Sequence, residues 1–279
     1  MMQIFEKEGY KIISADKSAD IYIINTCTVT NIADKKSRQM IRKAKELNPN
    51  SIIVATGCYA QVAKEDLEKI EEIDLVIGNL EKTNIVKYIE NNIEKVNEIM
   101  FQKEFIDFET TAYTEKTRAV IKVQDGCDRF CSYCIIPYAR GRVRSRKPKN
   151  IIKEVKEIVA DGIKEIVITG IHVSSYGKDF KENYRLIDLL KDLNMINGLK
   201  RIRLSSLEPT VITEEFINEY KKLEKVCNHF HLSLQSGCDE TLERMNRKYT
   251  TKQFENITKL IRREIPEVIL TTDIIVGFP

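Results

Sequence analysis

Three cysteines, Cys127, Cys131 and Cys134, fall within eight residues in the string Gly126-Cys127-Asp128-Arg129-Phe130-Cys131-Ser132-Tyr133-Cys134, spaced C-x3-C-x2-C. Three thiolates on one loop can hold three corners of a cubic iron–sulfur cluster, whereas the usual protein-bound cluster takes four cysteines. The fourth iron then keeps an open coordination position, the feature that separates catalytic from structural metal sites. A small molecule carrying an amine and a carboxylate, such as the methionine end of S-adenosylmethionine, can chelate that iron. The competing reading is structural zinc, which wants a fourth ligand; His172 is the nearby candidate, at an arbitrary spacing. Cys27 and Cys58 each follow a short apolar run, and Cys227 and Cys238 are scattered. Seven cysteines, an odd number, do not suit a disulfide framework and point to metal or redox chemistry.

These residues need elements to position them. In the first hundred residues, apolar runs at 19–26, 51–56 and 73–77 predict buried strands. Helical spacing over 30–47, 62–70 and 83–96 alternates with them. Such alternation predicts a flavodoxin-like parallel α/β domain over residues 1–100. Ligands of open parallel sheets gather beyond the carboxyl ends of the strands, where Cys27 and Cys58 fall. Residues 2–8 read as the end of a helix stopped by Gly9, followed by a weak strand near 11–14, so a first strand is expected to be absent. Residues 97–117 keep neither period, and 101–117 are taken as the linker. The alternation then resumes over 118–279. Strands are predicted at 119–124, 164–169, 200–205, 229–234 and 268–275. Helices are predicted at 149–160, 184–193, 213–222 and, in two pieces, 239–264. Five β/α steps predict a partial β/α barrel, incomplete where the chain stops straight after a strand.

Composition narrows the class. Lys plus Arg number 45 against 42 Asp plus Glu, a net charge of +3, which neither demands nor excludes nucleic acid. Hydrophobic residues make up 42%, too many for a disordered chain. No apolar run approaches the ~20 residues a membrane helix needs, and the N-terminus lacks a signal-peptide layout. A soluble, cytoplasmic protein without membrane contact is expected.

The cysteine string on the first loop of a β/α barrel resembles the radical S-adenosylmethionine superfamily. The longer string Val123–Arg146, with INTCTVTN at 24–31 and TGCYAQ at 56–61, resembles the methylthiotransferases of that superfamily. Within them it is most similar to the branch acting on N6-threonylcarbamoyladenosine of tRNA, on the strength of residues Ile135–Arg142 after the third cysteine. The resemblance implies a [4Fe–4S] cluster on Cys127, Cys131 and Cys134 that reductively cleaves S-adenosylmethionine. It also implies a second [4Fe–4S] cluster in the N-terminal domain, for which Cys27 and Cys58 match two ligands. The third ligand belongs to a strand that precedes this sequence, so the second cluster is expected to be incomplete. Family members further carry a C-terminal β-barrel that binds tRNA, which nothing after Pro279 supplies. By the same resemblance, a methylthio group is added to carbon 2 of the adenine at position 37, and a flavodoxin or ferredoxin supplies electrons.

The remaining expectations attach to single residues. Tyr133 lies against the adenine of the cofactor by resemblance, with simple packing as the alternative. Gly170 ends the second barrel strand, where glycine permits close backbone approach of the methionine amine. Glu208 and Gln235 end the third and fourth strands and are candidate partners for ribose hydroxyls or the target, loop capping being the alternative. Arg142, Arg144 and Arg146 alternate in a tract with six positive charges and no acid between Arg140 and Lys149, a footprint suited to RNA phosphates. His229 and His231 are assigned no chemistry. Rival functions are methylthiolation of isopentenyladenosine in tRNA or of a ribosomal protein, and a non-enzymatic zinc-stabilised RNA-binding module.

Overall fold

The structure, a computed structural model, describes residues 1–27, 31–107 and 117–279, with backbone alone at 31–34. Residues 28–30 of the INTCTVTN string and 108–116 of the expected linker lie outside the described residues. The described chain forms two compact units. Met1–Gln102 and Cys134–Arg142 make the first; Lys103–Asp107, residues 117–133 and Val143–Pro279 make the second. The grouping departs from a division at 100 and 118, because the short stretch that begins at Cys134 belongs with the first unit.

In the first unit a short helix α1 (Met2–Lys7) leads to β1 (Ile21–Thr26), α2 (Asn31–Leu47) and β2 (Ile52–Gly57). Then come α3 (Cys58–Val62), α4 (Lys64–Glu68), β3 (Leu75–Ile77) and α5 (Ile85–Glu90). The strands pair in parallel in the order β1-β2-β3. Central β2 is buried from Ile53 to Gly57, as a strand covered on both faces must be. Three local expectations are corrected. Residues 11–14 form no strand and are exposed coil. The 62–70 helix breaks at Ala63, whose φ of −141° is not helical. The 83–96 helix stops at Glu90, since Asn92 turns left-handed (φ 51°) and Lys95 then bridges to Ile77. Helix α6 (Ile136–Arg140) completes the unit, its Ala139 carbonyl accepting from Asn79 Nδ2 at 3.0 Å.

The second unit is built on five parallel strands. These are β4 (Arg118–Asp125), β6 (Glu165–Gly170), β7 (Arg201–Leu204), β8 (His229–His231) and β9 (Ile269–Thr271). A two-residue strand, β5 (Arg144–Ser145), runs antiparallel beside β4. The order is β5-β4-β6-β7, and β8-β9 form a second pair. Leu207 bridging to Leu232, and Gln235 to Ile274, carry the parallel pairing onward where β8 and β9 end earlier than predicted. Helices α7 (Pro148–Ala160), α8 (Leu186–Asn194), α9 (Glu214–Tyr220), α10 (Asp239–Arg244) and α11 (Thr251–Glu264) follow in turn. The partial β/α barrel is thus present. Its core joins strand residues Ile121, Ile166 and Ile202 to helix residues Ile151, Leu189 and Ile217, all fully buried. Among the described residues no helix is long and apolar enough to cross a membrane.

Candidate functional site

The second unit gathers its chemistry at the carboxyl ends of its strands. The β4–β6 register slips at Val123, so that Lys122 faces Thr169 but Gln124 faces Gly170. This bulge turns Gln124 fully inward. Its Nε2 donates to the Asp125 and Gly126 carbonyls at 2.6 and 2.7 Å, and its Oε1 accepts from the His172 N–H at 2.7 Å. The cysteine loop therefore leaves the sheet from a rigid base. A Cβ on Gly170 would stand 2.9 Å from the Gln124 carbonyl oxygen, so the room this glycine leaves is taken by the neighbouring strand.

The Cys127 and Cys131 thiols face N–H donors. The Arg129 N–H donates to Cys127 Sγ at 3.4 Å, and Arg247 Nη1 donates to Cys131 Sγ at 3.2 Å. Cys127 is buried, while Cys131 and Cys134 are half-buried. Cys134 opens the stretch that packs with the first unit. Among the described residues no three His, Cys, Asp or Glu side chains converge as ligands of a single ion. A cluster asks for something different, one thiolate per iron, with N–H donors to the sulfurs tuning its potential. The donor set around Cys127 and Cys131 fits a cluster in that respect.

Behind the loop lies a buried ionic centre. Glu208 is 3% exposed, and its carboxylate meets Arg129 Nη2, His172 Nε2 at 3.2 Å and Arg247 Nη2 at 3.8 Å. It also accepts from the Thr210 hydroxyl at 3.2 Å. Burial by itself raises the Glu208 carboxyl; the His172 hydrogen bond and the charges of His172, Arg129 and Arg247 outweigh it and hold the group below its ordinary value. Glu208 is therefore an ionised hub whose oxygens already face protein donors. Gln235 is half-buried in a left-handed conformation (φ 67°), its backbone fixed by Asp273 and Ile275. Tyr133 is 42% exposed and meets the Phe278 ring edge-on at 5.9 Å.

The arginine tract departs from expectation. Arg142 is exposed, but Arg144 and Arg146 are buried. Arg146 pairs with Asp107 at 2.7 Å and with Glu154, and Arg144 stands 3.8 Å from Asp125. Burial opposes the charge of Arg146, yet its two carboxylate partners raise its pKa. Arg144 and Arg146 both turn into the protein, as does Ser145 between them. The tract is drawn inward because β5 lays it against β4.

In the first unit Thr26 and Gly57 are register partners, so Cys27 and Cys58 follow directly at the carboxyl ends of adjacent strands. Cys27 is half-buried and Cys58 buried. Gly57 has φ 107°, and a Cβ there would collide with the Thr26 carbonyl oxygen. Lys82, itself buried, donates to Asn25 Oδ1 at 2.9 Å from the 3-10 turn that follows β3.

Sequence reasoning missed Gln124, Arg129, Asn246 and Arg247. Asn246 and Arg247 reach the cysteine loop from 116 residues away along the chain, through a turn between α10 and α11 that carries no periodic signal.

Two family models match the chain. Residues 121–279 match the radical SAM superfamily, and residues 1–78 match the uncharacterized protein family UPF0004. The chain is 42% identical to the threonylcarbamoyladenosine tRNA methylthiotransferase MtaB of Bacillus subtilis, over 99% of this chain and 63% of that protein. With MtaB of Aquifex aeolicus the identity is 44%, over 99% and 68%. A tRNA-2-methylthio-N(6)-dimethylallyladenosine synthase of a Thermoanaerobacter species is 40% identical over 99% and 61%. The chain thus spans roughly two thirds of these relatives, between 61% and 68% of their length. Among solved structures, the radical S-adenosylmethionine methyltransferase TsrM of Kitasatospora setae superposes with a TM-score of 0.67 at 16% identity, over all of this chain and 59% of that one. The radical enzyme OxsB gives 0.64 at 13%, over 94% and 41%. At such identities the likeness speaks for the fold.

Proposed function

The chain belongs to the radical S-adenosylmethionine methylthiotransferases, and from that membership we propose that it serves methylthiolation of N6-threonylcarbamoyladenosine at position 37 of tRNA. The observation that carries the reading is the cysteine loop at the carboxyl ends of the half-barrel strands, with N–H donors on the Cys127 and Cys131 sulfurs. Cys127, Cys131 and Cys134 would hold a [4Fe–4S] cluster, and S-adenosylmethionine bound to it would supply the radical chemistry that an unactivated C–H bond requires. Around that position Tyr133 offers an exposed ring for an adenine face, and Gln235 a side chain for ribose hydroxyls. Gly170 keeps β6 close against Gln124, and Glu208 acts from beneath. Cys27 and Cys58 would contribute to a second cluster, the bearer of the transferred sulfur. The target adenine lies in an unpaired loop, so its edge is presented without melting a helix. Of the arginine tract, exposed Arg142 remains the candidate phosphate contact. A flavodoxin or ferredoxin would deliver the electron, in the cytoplasm where tRNA is processed.

Preference for threonylcarbamoyladenosine over dimethylallyladenosine rests on the residues after Cys134, Ile135–Arg142. Nucleoside mass spectrometry of tRNA from cells lacking the protein tests it. The methylthiolated threonylcarbamoyl nucleoside should vanish and its precursor accumulate. Unchanged tRNA, or loss confined to the dimethylallyl nucleoside, overturns the proposal.

A further inference from the structure

The turn between α10 and α11 does more than connect two helices, because it is tied by polar groups to the cysteine loop. The Ser132 N–H donates to the Met245 carbonyl at 3.2 Å, and the Ser132 hydroxyl to the Arg244 carbonyl at 2.8 Å. Asn246, left-handed at φ 57°, donates to the Phe130 carbonyl at 2.8 Å and reaches that of Arg129 at 3.4 Å. The bond from Arg247 to Cys131 completes the set.

Arg247 is held on every nitrogen. Nε donates to the Tyr249 hydroxyl at 3.1 Å, Nη2 faces Glu208 at 3.8 Å, and Nη1 meets the sulfur at 3.2 Å. Tyr249 is anchored in turn, donating to the Ser233 and Leu234 carbonyls just past β8. The guanidinium also lies over the Tyr249 ring, 5.1 Å from its centroid, and its side chain is 9% exposed. A buried guanidinium is costly unless each arm has a partner. Here two arms have structural partners, and the third ends on a cysteine sulfur.

Resting on the assignment of Cys131 as a cluster ligand, we infer that Arg247 is a positioning residue that sets the reduction potential of the cluster through its hydrogen bond to Cys131. A donor to a ligand sulfur, and a fixed positive charge beside it, favour the reduced, more negative cluster and so raise the potential. Glu208 and Tyr249 aim the guanidinium. Glu208 also holds Arg129, whose backbone N–H serves Cys127. One buried carboxylate thus orders the donors to two of the three sulfurs.

The test is an EPR-monitored titration of the anaerobically reconstituted full chain, in which dithionite gives up one electron per cluster reduced. Cys27→Ser and Cys58→Ser are present throughout, so that only the loop cluster is read. Arg247→Gln should make reduction at least tenfold less favourable, a midpoint at least 59 mV more negative for one electron. Arg247→Lys, which keeps charge but loses the fork, should fall between that variant and the parent. An Arg247→Gln protein with full iron content and the parent's midpoint overturns the inference. Should that variant hold no cluster, Arg247→Lys decides, and a parental midpoint there overturns it equally. A parent chain that takes up no iron at the loop would instead sink the underlying assignment of the cysteines, a result separable from an unshifted potential.

Discussion

Cys131 and Gly57 illustrate two different ways in which one residue can be indispensable. Cys131 contributes little to the core, being half-buried on a loop, so its loss should leave the fold standing. Cys131→Ala is expected to abolish 5′-deoxyadenosine formation and to lower the iron content of reconstituted protein, while far-ultraviolet circular dichroism stays that of the parent. Retained cleavage at the parent rate in reduced, anaerobic protein would refute its role as a ligand. Gly57 is indispensable to the backbone. Its φ of 107° is closed to side chains, and a Cβ would run into Thr26, so nothing but the chain itself can yield. Gly57→Ala should cost at least the ~1–3 kcal/mol typical of a strained backbone position, and more for the collision. Urea unfolding followed on the first unit reads this directly. An unchanged midpoint would mean that the turn between β2 and α3 relaxes freely.

Strand β5 decides how the arginine tract is used. By laying Arg144 and Arg146 against β4 and α7, it turns two of the six charges of the basic run into internal ion pairs. Removing one partner from a buried pair leaves the other charge uncompensated, at about 3–5 kcal/mol. Arg146→Ala should therefore destabilise the second unit by that order, with Asp107 and Glu154 left without the cation they share. Arg142→Ala, at an exposed position, should lower the unfolding midpoint far less than Arg146→Ala does. In tRNA binding the pattern should reverse. Replacing exposed Arg142, Lys147 and Lys149 together should weaken binding and lower the salt slope by up to about one for each phosphate no longer neutralised. A triple variant with parental affinity and slope would show that the tract serves only solvent and structure.

Across the second unit, Glu208 couples the ends of separate strands through His172, Arg129 and Arg247, and this gives stability a pH dependence of known sign. The native carboxyl is held below its ordinary value, so its contribution is fully present above the unfolded pKa of roughly 4.3. It is lost as pH falls through the lower native value. Urea unfolding at descending pH should therefore show a loss of stability below about pH 4. Glu208→Gln should flatten that loss and be less stable than the parent at neutral pH. A variant with the parent's full acid slope would place the responsible carboxyl elsewhere. The half-barrel is exposed to this one group because the polar centre stands beside the apolar core.

The cysteine spacing, the strand–helix alternation in both halves and the strand-end positions of Cys27 and Cys58 were all legible along the chain. They are local or periodic properties, and a buried parallel strand or a C-x3-C-x2-C loop announces itself within a dozen residues. Even the placement of Cys27 beside Cys58 followed from strand ends alone, since adjacent parallel strands present the same end to the same side. Which face the arginines turned to was not legible. An alternating tract looks the same whether its partners are phosphates or Asp107 and Glu154, one of which lies 39 residues upstream of Arg146. Nor could spacing reveal that Gly170 makes room for Gln124, that Glu208 is a hub, or that Arg247 returns to Cys131 across 116 residues. Such pairings belong to no period. They exist because burying a charge is unfavourable until a partner is brought to it, and only the folded chain determines which partner arrives.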